Sequence, residues 1–358
     1  MDNPLKLEDL GYGPFFEYAR QIDNLPVARV IAEHREAYRV KNTAGEYLAK
    51  ITGKQIFNAT SRQDYPAVGD WVTITDLGEH QAVIGRVLPR KTIIKRKYSG
   101  KNQIQIIAAN IDVAFIIESV DRDFSLNRFE RYIAIARDGG IQPAIILNKI
   151  DLLSKEELQS RTDQVKNRFG DMDFIPTSTL SHEGLDALKA YIAKGKTYCF
   201  LGSSGAGKSS LINKLIGQDL IKTNEISIRS DRGKHTTTGR QMYFPRDGGI
   251  VIDNPGMREV SMTEVGDGIN SLSDQITSLA LQCKYPDCTH IHEPGCAVLA
   301  AVNSGQLDKD QYTNYISLKK EAEYYEMTEL HKKKKDSNFG KFVKKAKDQL
   351  KRRGHKNY

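Results

Sequence analysis

The order of two short motifs constrains this chain more than any other feature. Residues 202–210 read GSSGAGKSS, a match to the phosphate-loop pattern G-x-x-x-x-G-K-[ST]. Residues 148–151 read NKID, a base-reading pattern, and lie about fifty residues upstream of it. In an open α/β sheet that holds a nucleotide, the phosphate loop ordinarily comes first. Either the upstream match is accidental or the sheet is threaded in a rotated order. Ligand loops sit at the carboxyl ends of the strands, and moving the termini leaves them in place if the old ends were close together. A circular permutation therefore accommodates both motifs.

The phosphate loop runs Gly202-Ser203-Ser204-Gly205-Ala206-Gly207-Lys208-Ser209-Ser210 between the strand-like TYCFL and the helix-like SLINKLIG. Its glycines let backbone N–H groups face an anion, and the helix that follows adds its positive end. Lys208 reaches toward β- and γ-phosphates, and the Ser209 hydroxyl is a Mg²⁺ ligand. Cys199, on the preceding strand, reads as core.

A phosphate loop does not choose a base. In Asn148-Lys149-Ile150-Asp151, the Asp151 carboxylate can accept from guanine N1 and the exocyclic amine, a donor pair that adenine lacks. The Lys149 stem would cover the base plane, and Asn148 would tie this loop to the phosphate loop. NKID follows the apolar PAIIL, and another strand, DFIPTS, ends in Thr177-Ser178, where a second base-supporting loop belongs. Downstream, KHTTTG at 234–239 stands where a first switch should lie. DNPG at 253–256 follows the strand GGIVI. Asp253 is placed to hold Mg²⁺ through water, Gly256 to sense a γ-phosphate, and one of Thr236, Thr237 and Thr238 to donate a hydroxyl to Mg²⁺. The residue after Gly256 is Met257, which cannot orient an attacking water, so unaided hydrolysis should be slow.

Around these motifs, VARVIAEH, AYRVKN, GEYLAKI, GDWVTITDL and QAVIGRVL alternate and are separated by turn residues. They predict a small β-barrel, of which the OB-fold is one kind. From 111 the texture turns to β-α alternation, with helices over LNRFERYIAIARDGG, 154–169 and 184–193, the mark of a mostly parallel sheet. Beyond about 265 the chain reads as helical and polar. The net charge of +8 is uneven. Residues 331–358 carry ten Lys and two Arg against two Asp, and RVLPRKTIIKRKYSGK at 86–101 carries seven Lys/Arg and no acid. Two single-sign runs suit an RNA partner. No run approaches the roughly 20 apolar residues of a membrane span, so no membrane partner is expected. The N-terminus MDNPLKLEDL has no apolar h-region, and a cytoplasmic location is expected.

Three of the four cysteines, Cys283, Cys288 and Cys296, cluster beside His290 and His292 in CKYPDCTHIHEPGC. Three thiolates and one imidazole suit one closed, structural Zn²⁺ site, with either histidine available to complete it.

NRFERY (127–132), LNKIDLL, GSSGAGKSSL, GKHTTTG, DNPG and the cysteine cluster together resemble the ribosome small subunit-dependent GTPase A family, circularly permuted bacterial GTPases of 30S subunit maturation. The resemblance implies a circularly permuted P-loop GTPase domain with an N-terminal OB-fold β-barrel and a C-terminal zinc-binding helical domain. The expected boundaries are 1–105 for the barrel and its extension, 106–265 for the GTPase domain, 266–330 for the zinc-binding domain and 331–358 for the basic tail. It favours His290 as the fourth metal ligand and names His235 as the group that places the attacking water. It implies GTP/GDP, Mg²⁺ and Zn²⁺ as cofactors, the 30S subunit and 16S rRNA as partners, a monomer, and stimulation of a slow GTPase by 30S. A constitutive rRNA-binding scaffold with structural nucleotide is the competing reading. A nucleotide or metabolite kinase is disfavoured, since it needs neither a base-reading loop nor two switch loops.

Overall fold

The structure, a computed structural model, describes residues 4–20, 25–34, 37–97, 104–121, 124–170, 172–218, 240–246, 248–253 and 266–327. In chain order, α1 (Pro14–Arg20) precedes β1 (Val27–Glu33), β2 (Tyr38–Asn42), β3 (Gly45–Ile51), α2 (Gly53–Asn58), β4 (Trp71–Gly78) and β5 (Gln81–Val87). A two-stranded ribbon follows, β6 (Ile93–Lys97) and β7 (Ile104–Ala109). Then come β8 (Val113–Ser119), α3 (Leu126–Asp138), β9 (Gln142–Asn148), α4 (Lys155–Phe169), β10 (Phe174–Thr177) and α5 (Leu185–Tyr191). The phosphate-loop unit is β11 (Thr197–Gly202) and α6 (Lys208–Ile216), followed by β12 (Gln241–Tyr243) and β13 (Ile250–Asp253). Helices α7 (Gly266–Asn270), α8 (Asp274–Ala280), α9 (Ala297–Asn303) and α10 (Lys309–Glu326) complete the described chain.

The five alternating segments of the N-terminal part form β1–β5, as read. They pair in the order β1-β2-β3-β5-β4, and β4 returns to β1, so the sheet closes into a barrel. Closure removes the strand edges that would otherwise invite aggregation. β3 and β5 are parallel while the other pairs are antiparallel, which fits the OB-fold. Val30, Val40, Ile74 and Ile84, each 0–1% exposed, fill the barrel.

The remaining strands lie in the order β10-β9-β8-β11-β13-β12, with β12 alone antiparallel to its neighbour β13. β8, VAFIIES, is buried along its whole length, the pattern of a central parallel strand covered on both faces. The phosphate-loop strand β11 comes fourth among these six in the chain, yet it sits between β8 and β13. From β8 the chain moves outward to β9 and β10. From β11 it moves the other way, to β13. Such a reversal marks the carboxyl ends of β8 and β11 as the place where an α/β sheet of this kind binds its ligand. The rotated order thus leaves the binding edge intact.

Two helix boundaries follow local chemistry. Ser154 caps α4 with a full capping box to Glu157, a device worth about 1 kcal/mol. The helix expected over 184–193 is shorter, because Gly184 enters it from a left-handed conformation and Ile192 leaves it extended. The C-terminal helices, read from sequence as polar, carry more buried surface than expected. Ile269, Ile276, Val298 and Ile316 belong to the same hydrophobic cluster as Phe129 and Ile133 of α3. Arg29, 1% exposed, donates to the carbonyls of Leu10, Gly69 and Asn110 and so pins the N-terminal extension, the barrel and the entry to β8 together. Burial lowers its guanidinium to about 10. No described helix is long and apolar enough to cross a membrane.

Candidate functional site

The base loop and the phosphate loop meet through one side chain. Asn148 ends β9 and is fully buried; its Nδ2 donates to the carbonyl of Ala206 at 2.8 Å. Its Oδ1 accepts from Thr177 Oγ1 at 3.1 Å. One amide therefore joins three loops that are 29 and 58 residues apart in the chain. Gly207 explains why the phosphate loop can approach so closely. It adopts φ +95°, and a Cβ there would lie 2.1 Å from Asn148 Nδ2. Gly202 is equally constrained, since its Cβ would meet the carbonyl oxygen of Ile117 at 2.1 Å.

Asp151 is exposed, in the short 3-10 turn Ile150–Leu152, with Ile150 buried beneath it. One carboxylate oxygen accepts from the hydroxyl of Ser178, and Ser178 Oγ in turn accepts from the N–H groups of Leu180 and Ser181 at 3.1 and 3.0 Å. The carboxylate that would read a base is thus aimed before any base arrives. Lys149 takes a left-handed conformation, and its Nζ lies 2.7 Å from Asp121, whose other oxygen accepts from Ser119 Oγ at 2.8 Å. Asp121 was not legible as a site residue, because it follows β8, a strand without any motif.

In the phosphate loop, Ser204 and Gly205 are exposed, Ala206 is buried, and Ser209 and Ser210 begin α6. Lys208 Nζ donates to the carbonyls of Gly202 and Ser203, which folds the side chain back over its own loop. Asp253 closes β13 beside it. Burial pushes the Asp253 carboxyl up to about 6, and the charge of Lys208 pulls the other way. Ser209 and Asp253 offer hard oxygen donors, the kind Mg²⁺ takes while keeping several waters. His235, Thr236, Thr237, Thr238 and Gly256 lie outside the described residues.

The cysteine cluster converges as its composition suggests. One ligand atom from each of Cys283, Cys288, His290 and Cys296 lies within 4.8 Å of all the others. His290 Nδ1 is 3.6 Å from Cys283 Sγ and 3.5 Å from Cys296 Sγ, and those sulfurs are 3.9 Å apart. A tetrahedron with Zn–S bonds of about 2.3 Å has S–S edges of about 3.8 Å, so the donor set fits zinc. His290 is buried and His292 exposed, which separates the two candidates. Glu293 shapes the loop by accepting from Thr289, Ile291 and His292 N–H groups at 3.0–3.1 Å. Burial raises the Cys283 thiol, but donors including the Ala297 and Val298 N–H groups bring it below the usual range.

Comparison with known proteins agrees with this geometry. The sequence profile described as RsgA GTPase matches residues 87–263. A protein of Lactiplantibacillus plantarum named small ribosomal subunit biogenesis GTPase RsgA 2 is 40% identical over 332 residues, covering 92% of this chain and 93% of that relative. The chain belongs to the RsgA GTPase family. A Bacteroides thetaiotaomicron member, small ribosomal subunit biogenesis GTPase RsgA 1, is 36% identical across 91% of this chain and 92% of its own length. Among solved structures, YjeQ from Thermotoga maritima superposes with a TM-score of 0.62 at 25% identity, covering 83% of this chain and 98% of that one. YloQ, described as a circularly permuted GTPase, shares the fold with a TM-score of 0.60 at 21% identity, over 86% and 98% of the two chains. The circularly permuted fold of this family is therefore the fold of this chain.

Proposed function

We propose that this chain is a GTP-hydrolysing switch, a cytoplasmic monomer that binds the small (30S) ribosomal subunit and its 16S rRNA, assists late maturation and leaves when GTP is hydrolysed. Its relatives are named small ribosomal subunit biogenesis GTPases, and its basic run at 86–101 and basic tail suit a phosphate-rich partner. The observation that carries the nucleotide reading is the Asn148 amide, which joins the base loop to the phosphate loop and to Thr177. In this reading Asp151, steadied by Ser178, selects guanine, and Lys149 covers the base. The phosphate loop from Gly202 to Ser210 and the start of α6 hold the phosphates, with Lys208 turning from its own loop to them. Mg²⁺, held by Ser209, a threonine among Thr236–Thr238, and Asp253 through water, would neutralise the charge that develops on the transferred phosphoryl group. His235, the residue the family resemblance points to, would place the attacking water, a role Met257 cannot fill. Gly256 reports the γ-phosphate, and Zn²⁺ on Cys283, Cys288, His290 and Cys296 is structural.

The proposed division of labour follows 1–105, 106–265, 266–330 and 331–358: a barrel for rRNA, a motor, a zinc-stiffened docking module and a basic arm. Multiple-turnover GTP hydrolysis, with and without purified 30S subunits, tests the proposal. A rise of at least tenfold with 30S, absent with 50S subunits, is expected. Binding to 30S without any change in turnover would favour the scaffold reading instead.

A further inference from the structure

Glu118, the penultimate residue of β8, is 0% exposed. A carboxylate at that depth is costly unless an opposite charge and hydrogen bonds compensate it. Both are present. Its Oε2 lies 3.4 Å from Nε of Arg128, in the first turn of α3. Its two oxygens lie 3.4 and 3.3 Å from Oγ of Ser203, the second residue of the phosphate loop. Strand register explains the encounter. Gly202 of β11 pairs with Ile117 of β8, so the next residue of each strand, Ser203 and Glu118, are neighbours. Ser203 is held a second time, through its carbonyl, by Lys208.

An anion buried under a phosphate-binding loop opposes phosphate binding unless it is neutralised and put to use. Arg128 offsets its charge, and the Ser203 hydroxyl, tied down toward the sheet, cannot turn into the space where phosphates would sit. We propose that Glu118 is a positioning residue for the phosphate loop, acting through Ser203 and neutralised by Arg128 of α3. The inference rests on the nucleotide reading given above. It also gives α3 a direct bearing on the loop, and α3 is fastened at its outer side to α10 by the paired Arg131–Glu321 contact.

The test uses the full chain, a fluorescent GDP titration and steady-state GTP kinetics. Ser203→Ala and Glu118→Gln should each weaken GDP about five- to tenfold and raise the KM for GTP in parallel, with kcat within twofold of wild type. Glu118→Ala, which removes the acceptor oxygens as well as the charge, should weaken GDP further. The Ser203→Ala/Glu118→Gln double variant should be no worse than the weaker-binding single variant, because both act through one contact. A purely structural role would instead lower the melting temperature and kcat together. Losses that multiply in the double variant, or GDP affinities within twofold of wild type for both single variants, would overturn the proposal. If Glu118→Ala does not fold, the Ser203 and Gln variants decide it alone. Failure of wild type to bind GDP would instead overturn the nucleotide reading beneath it.

Discussion

The corner around Asn148 gathers six polar side chains and the corner around His290 gathers four, and they do so by opposite means. At the first, every group has a protein partner: Asn148 with Ala206 and Thr177, Asp151 with Ser178, Lys149 with Asp121. The loops there hang from β9 and β10, parallel strands buried among Ile145, Ile146 and Ile175. At the second, three sulfurs and one imidazole face each other in a loop between the short helices α8 and α9. Thiolates repel one another, and a cation is what turns their convergence into stability. The first corner is thus preorganised by the fold. The second is a donor set that a metal ion would complete. A nucleotide switch gains from the first arrangement, since little ordering is left to oppose binding. A loop with few buried residues of its own gains from the second, in which a bound ion would supply the stiffness.

Metal removal should separate the two corners most sharply. Structural zinc contributes on the order of 10 kcal/mol to small metal-dependent folds, so chelation or Cys288→Ser should abolish the ordered loop and lower the melting temperature by many degrees. With Mg²⁺ restored, GDP affinity should change less than threefold in the same sample, because the described contacts of Cys283, Cys288, His290 and Cys296 lie within their own loop and the helices beside it. Equal melting curves with and without metal would break the comparison. Circular dichroism and GDP titration on one preparation are sufficient.

Asn148→Ala should come next. It removes both halves of the bridge and leaves the Ala206 carbonyl and the Thr177 hydroxyl unmatched, at a cost of about 1–3 kcal/mol in nucleotide affinity, or roughly fivefold to 150-fold. Calorimetry with GDP measures it. An unchanged affinity would mean that the loops are aligned by their strands alone. The smallest effect is expected for Asp121→Asn. Lys149 and Asp121 are partly exposed, and such pairs contribute about 0–1 kcal/mol, so GDP affinity should fall no more than fivefold. A larger loss would promote Asp121 from steadying Lys149 to setting the whole base loop.

Much of this arrangement was legible in the chain. N-K-x-D and the phosphate loop announce themselves because their chemistry needs fixed residues at fixed spacing. The five barrel strands were readable from alternation alone, since each shows one face to a core. Asp121, Glu118 and Arg128 were not readable. Their partners are 28, 85 and 10 positions away, and only the adjacency of β8 with β9 and β11 brings the first two pairs together. RVLPRKTIIKRKYSGK was read by its charge as a run suited to an RNA partner; the strand β6 and the buried Ile94 within it were not read. The C-terminal helices looked polar because a thin apolar stripe suffices to dock them on α3. Such a stripe shows weakly in composition.

Loops in rotated chain order can build a single guanine site only if Asp151 reads the base that Lys208 and its loop hold by the phosphates. Exchanging the base tests it most directly. In Asp151→Asn the carboxylate that accepts two guanine donors is lost, so GTP affinity should fall by a few kcal/mol, while the new amide can donate to the C2 oxygen of xanthine. Competition of GTP and XTP for wild type and Asp151→Asn measures this in one experiment. Preference should reverse from GTP to XTP, with Lys208→Ala abolishing binding of both. A variant that binds GTP as tightly as wild type and gains nothing for XTP would contradict it.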